Sequence, residues 1–301
     1  MKKTLFIGNG LNRIMNDNIS WDDLLNFMII NNKIMNPSIP LPIKFECLIN
    51  NYSLYNDINE NFYDDCKHKI INHINKQTSL NYDILKYIDI KNIDSIITTN
   101  YDLNIEKFYN LNITKKISGN TKYCIDKTTE DVISIYHPHG ICTNPKTICL
   151  GYEHYCSIIE KCRTEINKLI DDDKYIFQII KRKAKNKFWF DDFFTNNIFF
   201  VGFGLALSEI DIWWLLSYRA SIISTNRENL KNNIINKIIF YDILNTNVIN
   251  YEKLLIHDIL SSMFVEVRVK YVKNQDEYFA AYKDILLEIN EEDSKNGNKR
   301  N

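Results

Sequence analysis

The segment Thr98-Thr99-Asn100-Tyr101-Asp102 places an amide and a carboxylate two residues apart, directly after the largely apolar run Ile93 to Ile97. That run reads as a buried parallel strand, and Ile105 to Tyr109 after it as a helix, so Asn100 and Asp102 stand in the turn at a strand's C-terminal end. Open α/β sheets put ligand-contacting groups there. Asn100 is neutral and cannot be a general base, but its amide can hold a water or a ribose hydroxyl. Asp102 can accept ribose hydroxyls or offset positive charge that develops in a transition state. Both residue types also suit an Asx turn or a helix cap. A second polar turn, His137-Pro138-His139-Gly140, follows another strand-like run. An imidazole titrates near neutrality, which suits His139 to general-base work. His137 is its rival, nearer the strand body and suited to a packed, hydrogen-bonding place. Together, a strand-end amide, carboxylate and imidazole point to chemistry on a bound nucleotide.

Two glycine turns accompany these groups. Gly8-Asn9-Gly10-Leu11-Asn12-Arg13 follows the strand-like run Lys3 to Ile7. Its glycines would let backbone approach a pyrophosphate, its N–H groups could hold phosphate oxygens, and Arg13 could add charge-assisted hydrogen bonds. Arg13 replaces the third glycine of the dinucleotide fingerprint, however, and no helix is expected directly after the turn. A phosphate loop and an ordinary strand-to-loop turn are therefore equally good readings. Gly202-Phe203-Gly204 follows Asn197 to Val201, the strongest strand signal in the chain, and would let an adenosine pack close to the backbone. Ser208 and Asp211 read as a helix cap first and as ligands second. Trp213 and Trp214 read as core or interface residues.

These groups need a frame to hold them. A helix is expected over Ser20 to Ile30, a loop over Asn36 to Pro42, and mainly helix over residues 43 to 90, as an insertion over one side of the sheet. Further strands are expected at Asp94 to Thr98, Val132 to Tyr136, Thr147 to Leu150, Lys237 to Tyr241 and Met263 to Val269. Helices are expected from Tyr152 to about Phe190, from Ser208 to about Arg219 and from Gln275 to Ile289. This alternation predicts an α/β fold: one doubly wound, Rossmann-like parallel sheet over residues 1–290 with a helical insertion at about 31–90, and a polar disordered tail over 291–301.

Composition narrows the partners. The chain has 301 residues and a formal net charge of −1, which gives no global drive toward nucleic acid or an anionic membrane. The basic run Lys181 to Lys187 reads as a solvated helix face rather than a nucleic-acid patch. Seven cysteines include no C-x-x-C pair. Cys149, Cys156, Cys162 and His154 lack the spacing of a zinc site, so reduced, mostly buried thiols and no metal are expected. The basic start at Lys2-Lys3 is followed by an apolar run too short for a signal peptide, and no stretch is apolar enough to span a bilayer, so a cytoplasmic location is expected.

Taken in order, these motifs resemble the sirtuin-like family of bacterial NAD-hydrolysing domains. Gly8-Asn9-Gly10-Leu11-Asn12 is similar to the family's first glycine loop, with Asn12 where serine is common. Ser20-Trp21-Asp22-Asp23-Leu24-Leu25 resembles a Ser-Trp-x-x-Leu-Leu helix start, and Thr98 to Asp102 a Thr-x-Asn-x-Asp element. His139-Gly140 resembles the His-Gly turn, Leu150 to Tyr155 a Leu-Gly-Tyr-x-x-Tyr stretch, and Gly202 to Asp211 the last nucleotide-binding glycine turn. The paired C-x-x-C zinc module and the Gly-Ile-Pro-Asp-Phe-Arg segment of protein-deacylating relatives are absent. The resemblance implies an NAD glycohydrolase of the anti-phage, abortive-infection type, with NAD as substrate and no metal. It implies Asn100 and His139 as catalytic residues. Gly8, Asn9, Gly10, Asn12, Arg13, Thr99, Asp102, Gly202, Gly204 and Asp211 are implied as the nucleotide-binding set. Control by homo-oligomerisation or by a co-encoded partner such as an ATPase is expected. The alternatives are a non-catalytic NAD or ADP-ribose sensor or assembly subunit, and a deacylase or ADP-ribosyltransferase.

Overall fold

The computed structural model describes residues 2–15, 39–55, 62–75, 80–111, 133–167, 188–224 and 236–292. The helix expected over Ser20 to Ile30, the basic run 181–187 and the end of the tail lie outside these residues. In chain order the elements are β1 (Lys3–Ile7), α1 (Asn9–Met15), α2 (Leu41–Tyr55), α3 (Phe62–Asn75), a 3₁₀ turn (Tyr82–Tyr87), β2 (Ser95–Thr98) and α4 (Asn104–Phe108). There follow β3 (Ser134–Tyr136), a 3₁₀ turn (Pro145–Thr147), α5 (Tyr152–Asn167), a 3₁₀ turn (Trp189–Asp191), α6 (Asp192–Thr195) and β4 (Asn197–Val201). The chain continues with α7 (Ile210–Ser224), β5 (Ile238–Asn245), α8 (Tyr251–Ser262), β6 (Glu266–Val272) and α9 (Glu277–Glu291).

Strands β1 and β4 are buried at every position, the mark of strands covered on both faces. They pair in parallel at the middle of a six-stranded sheet of order β3-β2-β1-β4-β5-β6, with all pairings parallel. This is an α/β Rossmann-like fold. Alternate side chains face opposite layers. Phe6, Ile198, Phe200 and Phe240 pack toward α5, α6, α7 and α8 through Ile158, Phe193, Leu215 and Leu260. Leu5, Ile7, Phe199 and Ile239 pack toward α1, α4 and α9 through Leu11, Ile105 and Ile285. Phe6 and Phe200 stack with centroids 4.6 Å apart and join the first layer across the central strand pair.

A third apolar cluster joins α2 and α3 to the loops at the sheet's C-terminal edge. Phe45, Ile49 and Ile70 meet Tyr101, Ile141, Cys142, Ile148 and Leu150. The expected strand over Thr147 to Leu150 is absent: Thr147 ends a 3₁₀ turn and residues 148–150 are irregular. Their burial comes from the insertion helices and not from a sheet. Strand β6 starts three residues after the expected Met263, because Met263 and Phe264 close α8 in a turn. Of the helix expected from Tyr152 to about Phe190, α5 covers Tyr152–Asn167, residues 168–187 lie outside the described residues, and a 3₁₀ turn occupies Trp189–Asp191. No helix among the described residues is long and apolar enough to cross a membrane.

Candidate active site

The strand order reverses between β1 and β4, and a sheet of this order opens a crevice there at the strands' C-terminal ends. Register puts Ile7 opposite both Thr98 and Val201, so the loops starting at Gly8, Thr99 and Gly202 leave the sheet at one level. A helix does start directly after the first turn, contrary to the sequence expectation: α1 begins at Asn9. The Gly8 N–H donates to Val201 O at 3.0 Å and the Gly10 N–H to Gly202 O at 2.7 Å. Those two N–H groups are thus engaged by the β4 loop and not directed at a phosphate. A Cβ on Gly8 would lie 2.5 Å from Gly202 O and from Phe203 Cα, so the close crossing of the two loops requires glycine.

Asn100 is 4% exposed. Its Nδ2 donates to Gly8 O at 3.2 Å and its backbone N–H to Thr98 Oγ1 at 3.2 Å. Its Oδ1 is buried and has no hydrogen-bond partner among the described residues. A buried acceptor left unmatched is costly, and such groups mark sites built for something else than stability. Asp102 is placed differently. Its Oδ1 accepts the Asn104 N–H at 3.0 Å and its Oδ2 accepts Asn12 Nδ2 at 2.5 Å. Burial raises its pKa, and those two hydrogen bonds pull the other way. Asp102 therefore caps the start of α4 and, through Asn12, fixes α1 to that loop.

The two histidines divide their work. His137 Nε2 lies 2.9 Å from Glu106 Oε1, with both side chains 1% exposed. Its Nδ1 donates to the Asn100 carbonyl oxygen, which can only accept. His139 Nε2 lies 2.9 Å from Asp211 Oδ2, and its Nδ1 lies 4.0 Å from Glu209 Oε2. Asp211 accepts the Nε2 proton and leaves Nδ1 facing Glu209. Burial alone would lower the pKa of His139, but the charge and hydrogen bond of Asp211, with Glu209 behind them, hold it above the ordinary value. Burial pushes Glu209 up to about 7, opposed by His139 and reinforced by Asp211. Its side chain is 20% exposed, yet Oε2 itself is buried without a hydrogen bond. Gly140, at φ +98°, lets the chain turn beneath His139, since a Cβ there would strike the Thr147 carbonyl.

A cavity of about 400 Å³ opens between these loops and β5, within the usual range of roughly 300–1,000 Å³ for small-molecule sites. Of the residues singled out in the sequence, Asn9, Gly10, Arg13, Thr99, Gly202 and Gly204 line it. Gly8, Asn12, Asn100, Asp102, His139 and Asp211 are not among its lining residues. They stand behind it, each tied to a lining loop. The wall also contains Glu209, Tyr241, Asp242, Lys253, Tyr278 and Tyr282, which sequence reasoning missed. Glu209 looked like one more acidic residue in a helix's first turn, and only its place beside the last glycine turn could have flagged it. Asp242 accepts Lys253 Nζ at 2.6 Å and contacts His257 Nε2 at 2.8 Å, which fixes the polar far wall.

The ligand atoms of His139, Glu209 and Asp211 lie within 4.8 Å of one another. The two carboxylates face different ring nitrogens, an arrangement that suits a hydrogen-bonded chain better than a single cation. His154 Nδ1 accepts the Leu150 and Gly151 N–H groups at 3.0 and 3.1 Å, a structural task. Cys149 and Cys162 are buried and Cys156 is exposed. Trp213 and Trp214 are half-buried against the core, and Trp213 Nε1 donates to Ala206 O at 3.1 Å.

Residues 94–217 match the family model of the SIR2-like domain. The matched segment is under half of the chain, but it carries Asn100, His139, Gly202, Gly204, Glu209 and Asp211. The first glycine loop and the wall from β5 to α9 lie outside it. No curated protein matches the chain.

Proposed function

For this sirtuin-like chain we propose hydrolysis of the nicotinamide–ribose bond of NAD, giving nicotinamide and ADP-ribose. SIR2-like domains use NAD as substrate, which supports an NAD-related activity in general. The observation that carries the finer reading is the unmatched Oδ1 of Asn100, buried at a strand end beside the cavity loops. An acceptor held there by the Gly8 and Thr98 contacts can take the hydroxyl of a ribose or of the attacking water. Nicotinamide leaves as a neutral molecule from a cationic ring, so the protein's task is to hold an oxocarbenium-like centre and to remove one proton. His139, oriented by Asp211, is the base for that proton. Arg13 supplies positive charge to the cavity wall for the pyrophosphate.

The biological setting that fits this chemistry is an abortive-infection effector in anti-phage defence, kept inactive by homo-oligomerisation or by a co-encoded partner such as an ATPase. A second reading is a non-catalytic sensor of NAD or ADP-ribose. It is favoured by one observation: neither Asn100 nor His139 lines the cavity. Incubation of the purified protein with NAD, with and without neighbouring gene products, and chromatography of the products separates the two. Nicotinamide release that falls by at least about 100-fold in Asn100→Ala supports hydrolysis. Tight binding without turnover under every condition sinks it.

A further inference from the structure

Of the three groups in the His139 cluster, only Glu209 both touches the imidazole and lines the cavity. Asp211 is 1% exposed and bonds the far nitrogen, and His139 is 3% exposed behind the wall. Nδ1, the nitrogen not bonded to Asp211, faces Glu209 Oε2, which is buried and without a hydrogen bond among the described residues. We propose that Glu209 carries protons between the cavity and His139, so that Asp211, His139 and Glu209 form one chain running from the buried interior to the substrate. The inference rests on the NAD-hydrolysis reading.

The step balances as follows. The oxygen of water bonds to the ribose C1′ while the C1′–N bond breaks, and that electron pair departs with neutral nicotinamide. One O–H bond of the water breaks and its proton goes to the cavity-facing carboxylate oxygen of Glu209, whose carboxyl then turns that proton toward His139. It passes to His139 Nδ1, and the imidazolium, held by Asp211, later returns it through Glu209 to solvent in the cavity. The 4.0 Å separation of Nδ1 and Oε2 is longer than a hydrogen bond. Catalytic contacts of this kind commonly tighten only when substrate is bound. A carboxyl whose pKa is raised to about 7 exchanges protons with an imidazole at little cost near neutrality. The other ionisable groups packed here include the buried Cys149 thiol and the phenols of Tyr101 and Tyr155; burial holds the two phenols well above their ordinary pKa and so uncharged. Tyr155 meets the His139 ring edge-on at 5.1 Å. The competing explanation is that Glu209, one residue before α7, only complements the helix dipole.

The test compares wild type, Glu209→Gln and Glu209→Asp for nicotinamide release across about pH 5 to 9. Circular dichroism shows which variants fold. The expected result is that Glu209→Gln folds, binds NAD, and loses about 100-fold or more of the high-pH plateau rate without recovering at any pH. Glu209→Asp, which keeps the carboxylate, restores part of it. If Glu209→Gln keeps the wild-type plateau and only shifts its pH limb, Glu209 merely tunes His139 and the proposal is wrong. If the wild type releases no nicotinamide, the hydrolysis reading fails separately. The His139 ring nitrogens, followed by NMR in the unliganded protein, then still report on the shared proton. Two inflections that collapse to one in Glu209→Gln support the chain, and a single inflection in both proteins overturns it.

Discussion

His137 Nδ1 sits 2.9 Å from the backbone carbonyl of Asn100, while the opposite nitrogen is held by Glu106. The first histidine of the His-Pro-His-Gly turn thereby fixes the main chain of the residue that carries the proposed reaction. Burial works against the charged ring, but the Glu106 charge and its hydrogen bond win, and the His137 pKa is raised. A raised histidine pKa stabilises the fold fully below the unfolded value near 6.5 and loses that contribution as pH rises through the folded value. Urea denaturation should therefore show stability falling as pH climbs above about 6.5. Glu106→Gln should cost about 3–5 kcal/mol below that pH and flatten the fall, because one partner of a buried pair is gone.

Asp211→Asn keeps the shape of the site and removes the charge that raises His139. The rate of nicotinamide release should fall by about 10²–10⁴-fold. The rising limb of the pH profile should move to lower pH, since the imidazole then loses its proton more readily.

Two glycines of the site should answer differently to alanine. Gly140 has φ +98° and no room for a Cβ beside the Thr147 carbonyl, so Gly140→Ala should destabilise by more than about 1 kcal/mol in thermal denaturation. Gly204 faces open space, so Gly204→Ala should change stability by less than about 0.5 kcal/mol. Any effect it has should appear in KM for NAD.

Arg13 is exposed on the cavity wall, and its removal need not disturb the core. Arg13→Ala should raise KM for NAD by about tenfold with kcat little changed, as for loss of a charge-assisted contact equal in ground and transition states. Added salt should weaken NAD binding in the wild type more than in this variant.

Strands β1, β2 and β4 were legible because burial on both faces places apolar residues side by side, as at Leu5 to Ile7, Ile96-Ile97 and Ile198 to Val201. Strand β6 was placed three residues early because it is an edge strand whose half-exposed Glu266 to Lys270 carry no such run, while the apolar Met263 and Phe264 before it belong to a helix-ending turn. Thr147 to Leu150 looked like a strand because it is buried, but Thr147 Oγ1 accepts the Ile141 N–H and donates to Asn144 O in a compact turn under α2 and α3. The asparagine and histidine elements stood out as polar residues at strand ends. Glu209 and the β5–α9 wall did not, because each joins the cavity only through contacts far apart in sequence, such as Tyr282 beside Gly10.

The paired bonds from Gly8 to Val201 and from Gly10 to Gly202 tie the crevice's two sides together. The cleft cannot widen there without breaking backbone hydrogen bonds between central strands. A ligand entering the cleft would meet a floor whose ordering entropy was lost when the chain folded and is not charged again on binding. Any movement that admits or releases a ligand must come from the walls, where Glu209, Lys253 and Tyr278 stand on separate helices or at their entry.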